Sequence, residues 1–551
     1  MLLECKMDNN LYYGDNLDIL RQYIASDSID LIYLDPPFNS KKSYNVLFSS
    51  PKGFQSEAQI TAFEDSWTWG DQAEKEYAEL LHQPNTDVAE LIQSLRRFLK
   101  NSDVMAYLVM MANRLIELER VLKSTGSLYL HCDPTSSHYL KIVLDAVFGA
   151  DKFRNEISWK RSGRRSSIYR IYRRAHDIIF FYTKSNKYTF NMIYKEFDDT
   201  LLKKYSKMDD RGRYQLVPLM GSGKVVDGET GKPWRGFDPN TRGKSGMHWL
   251  TTHDKLEEYV SKNLVAFPKD PKATPRLKYY LDQNKGVPIS DFWDDIDLIN
   301  SMGNESLGYQ TQKPLLLLDR IVQASSNPGD IVLDPFCGCG TAIYAAQKNN
   351  RNWIGIDITH LAISLIERRL QEGFPDITFK VHGTPKDFDG ARDLALRDKY
   401  EFQYWACSLI DAQPYQGKKK GADTGIDGLI FFQDEINTAK KIIVSVKGGE
   451  HVTRTMISDL KNSVDREKAQ IGILVSLIPP TGPMEKEAVS AGYYESPIGK
   501  SYPKIQILTI PELLSGSKTP QYPDLARGGL SFRKTKAEKG DRNQPELFKG
   551  V

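Results

Sequence analysis

Residues 331 to 357 constrain the fold more than any other segment of the chain. Ile331–Asp334 is a short β-favouring run, a glycine-bearing loop follows it, and Ala342–Gln347 is typical of a helix. Trp353–Asp357 is then a second strand that ends in an acid. Glycines after the first strand let the backbone approach a ligand closely, and an acid ending the next strand can accept hydrogen bonds from ribose hydroxyls. This order predicts a Rossmann-like α/β fold.

The loop Cys337-Gly338-Cys339-Gly340 narrows the class of ligand. Its glycine spacing is tighter than the dinucleotide fingerprint, and it has no Walker lysine, which favours a nucleoside without a pyrophosphate. The two cysteines are a candidate metal pair. No other cluster of cysteine or histidine in the sequence supplies further ligands, so we do not predict a metal here.

A second apolar run, Ile29–Leu34, ends in Asp35-Pro36-Pro37-Phe38. Ligands collect at the carboxyl ends of strands in open α/β sheets. Two prolines remove two backbone donors and stiffen the loop, so its carbonyls must find other partners. An acid, a rigid carbonyl and an aromatic face suit a planar group that carries an exocyclic NH2. A buried strand followed by a plain proline-rich turn is the alternative.

The length and composition bound the architecture. A chain of 551 residues predicts two or three domains. Helices at about 104–123 and 137–148 alternate with strands at 127–133 and near 154–160, which favours a parallel sheet with right-handed crossovers. Five irregularly spaced cysteines indicate a reducing compartment. Without a signal peptide or a run of about 20 apolar residues, we expect a cytoplasmic protein.

A basic segment that almost no acid neutralises begins at Lys160. Its members are Lys160, Arg161, Arg164, Arg165, Arg170, Arg173 and Arg174, with Tyr169 and Tyr172 between them. Such a field suits a phosphate backbone, although a solvated face without a partner also fits. Residues 196–290 are irregular and rich in glycine, lysine and aromatics. We therefore interpret about 160–300 as an inserted, mostly non-Rossmann region.

These motifs together resemble the amino-group DNA methyltransferases that use S-adenosylmethionine. Asp334–Thr341 resembles their cofactor motif, with cysteine where serine is common between the glycines, and Asp35–Phe38 resembles their catalytic tetrapeptide. Leu11–Asn16 is similar to their G-D element, and Thr311–Pro314 matches their T-Q-K-P helix start. The order, with the catalytic motif before the cofactor loop, resembles the permuted β-group of this family.

The resemblance implies roles for individual residues. Asp35 and the Pro36 carbonyl would accept the two amine hydrogens, with Pro37 stiffening the loop, and Phe38 would stack on a base flipped out of the duplex. The implied cofactor-binding residues are Asp334, Phe336, Gly338, Gly340, Asp357, Asp15, Lys313 and Pro314. Of these, Asp357 would hold the ribose, Asp15 would lie near the adenine, and Lys313-Pro314 would flank the methionine end.

An aspartate at the first position of the tetrapeptide goes mainly with adenine in this family, which implies adenine N6 in double-stranded DNA, with cytosine N4 as the alternative. The insert would be the target-recognition region, and Arg235, Arg242, Lys244 and His248 are candidates for DNA contact. We expect a nucleoid-associated bacterial enzyme of restriction-modification with a possible restriction subunit. A DNA-binding module with a dead methyltransferase core and an RNA substrate stay open.

The carboxy-terminal part resembles the Mrr-like branch of the PD-(D/E)xK nucleases. Asp427 precedes one strand and Lys447 ends the next, so Asp427 would ligate Mg²⁺ and Lys447 would stabilise charge at the scissile phosphate. Glu401 is a candidate helix-borne acid. Ser445 stands where these nucleases carry Glu or Gln, and a hydroxyl is a poor ligand for a hard cation. An active nuclease, a nuclease-like fold that has lost cleavage, and a plain β-hairpin all remain open.

The predicted domains are a methyltransferase domain at 1–395, a smaller α/β nuclease-like domain at 398–520 and a disordered tail at 521–551. In the tail, Gln544-Pro545-Glu546-Leu547-Phe548 resembles the peptide that docks on the bacterial sliding clamp. A chance match of so short a motif is the alternative.

Overall fold

The computed structural model describes residues 9–37, 43–47, 59–64, 68–161, 172, 175–195, 199–270, 273–299, 305, 307, 311–415, 425–435 and 438–523. The chain divides into two compact units, one formed by residues 192–290 and the other by the segments on either side. Phe38, most of the basic segment and the clamp-like peptide Gln544–Phe548 lie outside the described residues. None of the helices described is long and apolar enough to cross a membrane.

The first segment of the larger unit alternates strands and helices. Its elements are β1 (Asn9–Tyr13), α1 (Asn16–Tyr23), β2 (Ile29–Leu34), β3 (Ser43–Leu47), β4 (Gln59–Glu64), α2 (Asp71–Leu81), α3 (Thr86–Leu99), α4 (Asp103–Val121), β5 (Leu122–Cys132), α5 (Ser137–Phe148), β6 (Phe153–Lys160) and β7 (His176–Thr183). The helix predicted over 104–123 is α4. It ends at Val121 because the chain enters β5 at Leu122, which pairs with Ile29 of β2.

Residues 192–290 form a smaller unit of short elements. They are β8 (Tyr194–Lys195), α6 (Asp199–Lys204), β9 (Lys207–Asp209), β10 (Gly212–Pro218), β11 (Met220–Ser222), β12 (Met247–Trp249), α7 (His253–Ser261), β13 (Val265–Ala266), β14 (Arg276–Tyr280) and β15 (Val287–Pro288). Four of the strands pair in the order β13-β14-β10-β9. A core around Trp234 and Trp249 supports this unit.

The chain then returns to the larger unit. The next elements are β16 (Phe292–Trp293), α8 (Leu315–Ser325), β17 (Ile331–Asp334), α9 (Thr341–Lys348), β18 (Asn352–Asp357), α10 (His360–Gly373), β19 (Phe379–His382) and α11 (Phe388–Arg397). The described strands of the main sheet lie in the order β16-β6-β7-β5-β2-β17-β18-β1-β19.

The main sheet is parallel except at one strand. Among the described strands, β7 alone runs antiparallel, because it lies between β5 and β6 and pairs antiparallel with both. The other pairs are parallel. The strands β2, β5 and β17 are buried on both faces, which explains why they are nearly continuous apolar runs in the sequence. The predicted Rossmann-like α/β fold is confirmed.

The carboxy-terminal segment builds a second, smaller sheet. Its elements are α12 (Lys399–Ser408), β20 (Gln413–Pro414), β21 (Gly428–Glu435), β22 (Thr438–Lys447), α13 (Arg454–Arg466), β23 (Ile471–Ser476), α14 (Gly482–Ser490), β24 (Tyr493–Glu495), β25 (Ser501–Pro503), β26 (Ile505–Thr509) and α15 (Ile510–Leu514). The sheet order is β20-β21-β22-β23-β26. The antiparallel pair β21–β22 continues into the parallel strands β23 and β26. This sheet is consistent with the predicted small α/β domain.

Candidate active site

The carboxyl ends of four parallel strands, β1, β2, β17 and β18, open onto one cavity of 240 Å³. Residues that follow each of these strands line it. They are Gly14, Asp15 and Asn16 after β1, Asp35, Pro36 and Pro37 after β2, Asp334 to Cys339 around the end of β17, and Asp357 to Thr359 after β18. The fold therefore brings together two motifs that lie about 300 residues apart in the sequence, because carboxyl ends of parallel strands share one edge of a sheet.

The loop after β17 forms one wall of the cavity. Asp334 is buried, and its Oδ1 accepts a hydrogen bond from the backbone N–H of Phe336 at 3.1 Å. Burial raises the pKa of Asp334 well above its ordinary range, and the charges of Asp35 and Asp357 raise it further. This carboxyl group is tied to its own loop and fixes the turn that carries Phe336.

The two glycines of this loop, Gly338 and Gly340, have different structural roles. Gly338 lines the cavity, adopts φ +49° and donates its backbone N–H to Asp357 Oδ2 at 2.9 Å. Gly340 adopts φ +73°, and a Cβ there would lie 2.7 Å from Ile366 Cγ1 of α10. Gly340 is not among the lining residues, so it serves the close packing of loop and helix rather than a ligand contact.

Asp357 ends β18 at the cavity wall. Its Oδ1 accepts hydrogen bonds from the backbone N–H and the hydroxyl of Thr359 at 3.0 Å and 2.9 Å. Burial raises the pKa of Asp357, although these hydrogen bonds and that of Gly338 oppose the rise. The carboxylate is held in one orientation beside the cavity, where a ribose could be bound.

A buried guanidinium organises the wall after β1. Arg114 of α4 donates to both carboxylate oxygens of Asp15 at 3.0 Å and 3.1 Å, and to Asn16 Oδ1 at 2.6 Å. Asn16 in turn donates to the carbonyl of Pro335 at 2.8 Å. The sequence analysis assigned no role to Arg114 or to the side chain of Asn16. The available signal was a cation inside the otherwise apolar stretch of α4.

The Asp35 carboxylate has two unlike oxygens. Oδ2 forms an ion pair with Lys313 Nζ, and Lys313 also donates to the carbonyl of Thr311 at 3.3 Å. Oδ1 is buried and has no hydrogen-bond partner among the described residues. Burial of an acceptor without a partner is costly, so this oxygen is poised for a donor from a ligand. Lys313 therefore forms an ion pair with the predicted catalytic acid, Asp35. Pro314 is the buried N-cap of α8 and does not line the cavity.

A buried polar chain runs from the cavity wall into the core. Tyr33 lines the cavity, its hydroxyl lies 3.0 Å from His131 Nδ1, and His131 Nε2 lies 3.3 Å from Asp177 Oδ2. Burial raises the pKa of Tyr33 well above its ordinary range. The sequence analysis did not identify this series of polar contacts, because its three residues come from three different strands.

The carboxy-terminal sheet arranges its predicted site differently. Asp427 Oδ2 accepts hydrogen bonds from the backbone N–H of Val446 at 2.7 Å and from the Ser445 hydroxyl at 3.3 Å. Among the described residues, no group of three or more His, Cys, Asp or Glu side chains could hold a metal ion. Glu401 Oε2 accepts the backbone N–H of His360, the first residue of α10, at 3.2 Å. Its carboxylate is therefore directed at α10, the helix that follows β18 of the main sheet.

Within residues 192–290, the predicted DNA contacts have varied surroundings. Arg235 forms a two-point pair with Glu257 at 2.9 Å and 2.5 Å, and His248 Nδ1 lies 2.9 Å from the carbonyl of Gly223. Arg242 lies 5.9 Å above the ring of Phe237. Lys244 is exposed.

Comparison with known proteins assigns the larger part of the chain to a family. The model of the DNA methylase family N6_N4_Mtase matches residues 29–368. A second model, described as NACHT-associated inactive Restriction Endonuclease 1, matches residues 409–515.

Three relatives are similar to this chain. Type II methyltransferase M.EcaI of Enterobacter cloacae is 30% identical over 67% of this chain and 70% of its own length. The StyLTI Mod subunit, from a type III restriction-modification enzyme of Salmonella typhimurium, is 27% identical over 63% of this chain and 51% of its own length. DNA adenine methyltransferase YhdJ of Escherichia coli is 24% identical over 65% of this chain and 82% of its own length. The chain belongs to the N6/N4 DNA methylase family.

Proposed function

We propose that the protein is a site-specific methyltransferase that uses S-adenosylmethionine to methylate adenine N6 in double-stranded DNA. The observation that carries this proposal is Asp35 Oδ1, a buried acceptor without a partner among the described residues, in the same cavity as the glycine loop. An exocyclic amino group is a donor that would satisfy it. Asp35 belongs to the first motif along the chain and the glycine loop to the last, as in the permuted order of the family.

The residues around the cavity fit the cofactor. The carboxylate of Asp357 would accept the ribose hydroxyls, Asp15 would lie at the adenine, and Phe336 would line the pocket. When bound, S-adenosylmethionine supplies a methyl group that its sulfonium already activates, so no metal is required for transfer. Lys313 is the cation that reaches both Asp35 and the cavity, and it is suited to the cofactor's carboxylate.

The chain's own contribution to the reaction is orientation. An exocyclic amine is a poor nucleophile because its lone pair is delocalised into the ring. Hydrogen bonds from the amine to Asp35 and to the Pro36 carbonyl favour a pyramidal nitrogen. Pro36 and Pro37 both fix φ, which holds the carbonyl in place before the substrate arrives. Alignment of this kind supplies a large part of the rate. Phe38 stays a prediction, since it lies outside the described residues.

Adenine is proposed over cytosine on two grounds. The tetrapeptide begins with aspartate, and YhdJ, a relative aligned over most of its length, is an adenine methyltransferase. The family includes both N6 and N4 enzymes, so cytosine N4 is the alternative product.

We further propose that the protein acts in restriction-modification. M.EcaI is a type II methyltransferase and the StyLTI relative is a Mod subunit of a restriction-modification enzyme. The carboxy-terminal domain matches an inactive endonuclease family. DNA cleavage would then come from a separate restriction subunit, and Mg²⁺ at Asp427 stays a prediction that nothing described supports.

The test is methylation of mixed genomic DNA with S-adenosylmethionine, followed by mass spectrometry of the nucleosides, for the wild type and Asp35→Ala. N6-methyladenine from the wild type alone is the expected result. N4-methylcytosine would keep the mechanism and overturn the base. Cofactor binding without any DNA product would overturn the proposed substrate.

A further inference from the structure

The helix α12 of the carboxy-terminal domain meets the methyltransferase domain at the start of α10. Glu401 lies in the first turn of α12, and its carboxylate accepts the backbone N–H of His360 at 3.2 Å. The first N–H groups of a helix have no partner within the helix, so an acceptor from elsewhere stabilises that end. Glu401 therefore caps a helix of the neighbouring domain.

Glu401 belongs to the carboxy-terminal domain by packing as well as by sequence. Phe402, Trp405 and Ala406 of α12 are buried in the core of the second sheet. A Cβ at Gly448, which directly follows β22, would lie 2.8 Å from the Phe402 ring. This tight contact fastens α12 to the second sheet, so the position of Glu401 follows that sheet.

The residues that Glu401 contacts adjoin the cofactor cavity. The His360 ring stacks on Tyr13, with the ring centroids 3.7 Å apart, and Tyr13 directly precedes the lining residue Gly14. Gly14 donates its backbone N–H to the carbonyl of Asp357 at 2.9 Å. The first turn of α10 thus touches two of the strands whose ends form the cavity.

The same turn holds the side chain of Asp357. Thr359 is the N-cap of α10, and its hydroxyl accepts the N–H of Ala362 at 3.2 Å. That hydroxyl also donates to Asp357 at 2.9 Å. Fraying of the turn would release Asp357, because the N-cap Thr359 carries two of the hydrogen bonds to its carboxylate.

We propose that Glu401 is a positioning residue of the cofactor site, through which the nuclease-like domain holds Asp357 in its binding orientation. The inference rests on the proposed function, since it concerns the same cavity. It gives the carboxy-terminal domain a task that needs neither a metal nor cleavage: the domain completes the back of the methyltransferase site. Loss of the hydrogen bond between Glu401 and the first turn of α10 would weaken cofactor binding.

The test compares Glu401→Ala with Glu401→Gln in the full chain. Alanine removes the acceptor, so we expect the Kd and the KM for S-adenosylmethionine to rise about 3- to 10-fold with kcat unchanged, the size expected for one lost hydrogen bond. Glutamine keeps an acceptor oxygen at the same reach, so it should lie within about twofold of the wild type. Amide hydrogen exchange at residues 360–362 should quicken in the alanine variant only.

A matched control uses a second contact between α10 and the carboxy-terminal segment. Arg368 of α10 forms an ion pair with Asp411, which follows α12. Asp411→Asn removes this charge, and asparagine tolerates the left-handed φ of +55° found there. We expect no change in cofactor affinity, because Arg368 is two turns away from Thr359. If Glu401→Ala fails to fold, Glu401→Asp, which shortens the reach to His360, replaces it.

Three results would overturn the inference. The first is a Glu401→Ala protein that binds S-adenosylmethionine as the wild type does, and the second is an Asp411→Asn protein that loses affinity equally. The third is a wild type that does not bind S-adenosylmethionine, which would overturn the proposed function as well. Wild-type binding separates failure of the inference alone from failure of both.

Discussion

Asp35 beside the main sheet and Asp427 beside the second sheet of the larger unit have different surroundings. At the edge of the main sheet, Asp35, Asp334 and Asp357 surround one cavity, and an oxygen of Asp35 has no partner among the described residues. At the second sheet, Asp427 accepts hydrogen bonds from the strand beside it and from Ser445. The buried oxygen of Asp35 can accept a hydrogen bond from a ligand, whereas the hydrogen bonds of Asp427 hold it to its own sheet.

The largest expected effect comes from neutralising one acid in each sheet. Asp35→Asn should lower kcat for DNA methylation by about 10²–10⁴-fold, because the amide cannot offer two acceptor oxygens to the amine and the Lys313 pair together. Cofactor binding should persist, since Asp357 is untouched. Asp427→Asn should leave methylation unchanged. Steady-state methyl transfer measures both variants. Equal losses of kcat would mean that Asp35 has no special role in methylation compared with Asp427.

One cation beside each sheet pairs with acids, and its removal should affect the two sheets differently. Arg114→Met leaves Asp15 and the buried Glu76, whose carboxylate lies 3.7 Å from Arg114, without their guanidinium, so we expect about 3–5 kcal/mol of lost stability together with weaker binding of S-adenosylmethionine. Lys440 Nζ lies 2.8 Å from the buried Asp434 in the second sheet. Lys440→Met should also destabilise the protein, yet cofactor affinity should stay as in the wild type.

Chemical denaturation and cofactor titration separate these outcomes. A drop in cofactor affinity in Lys440→Met would mean that general loosening, rather than the Arg114 network, governs the pocket. Unchanged affinity in Arg114→Met would mean that Asp15 needs no support.

A glycine near each acid gives a smaller effect. Gly340→Ala combines a left-handed φ with a Cβ 2.7 Å from Ile366, so it should cost about 2–4 kcal/mol and weaken cofactor binding. Gly425, two residues before Asp427, also has a left-handed φ, at +70°, but the nearest atom to its Cβ lies at 3.6 Å. Gly425→Ala should therefore cost only the backbone strain, about 1–2 kcal/mol. Thermal or denaturant unfolding measures both, and equal costs would show that close packing at Gly340 is unimportant.

The sequence predicted those parts of the site that are short segments of the chain. Asp35, Asp334 and Asp357 each lie at the end of an apolar run, and a proline follows the first two, so these patterns lie within a few residues. The antiparallel direction of β7 could not be predicted, because an apolar run indicates burial without direction. The same limit applies to contacts between distant segments, including Arg114 with Asp15, Lys313 with Asp35 and Glu401 with His360.

The partner of Glu401 could not be predicted for the same reason. An acid in the first turn of a helix beside a nuclease-like sheet is typical of a metal ligand, and only the fold shows that the side chain faces His360. A sequence pattern identifies the residue type and its element, but the neighbouring domain decides which partner the side chain meets.

The smallest expected effect is a pH dependence at the contact that joins the two sheets. Burial raises the pKa of Glu401 from 4.5 to about 7, so between these values the folded protein binds more protons than the unfolded chain. The stability from this shift is complete below about pH 4.5 and is lost as the pH rises through about 7. The titratable and charged groups around it are Asp398, Asp357, Tyr13, His360 and Arg397.

Burial lowers the pKa of His360 to about 3, so this ring stays neutral and does not titrate in the same window. Glu401→Gln removes the titration and keeps an acceptor. The unfolding free energy of the wild type should therefore fall relative to Glu401→Gln from pH 5 to pH 7.5, with a slope below about 1.4 kcal/mol per pH unit, the limit for one proton. Denaturant unfolding across this range measures the difference. Parallel curves would mean that Glu401 is solvated, and the two sheets would then be joined without a buried charge.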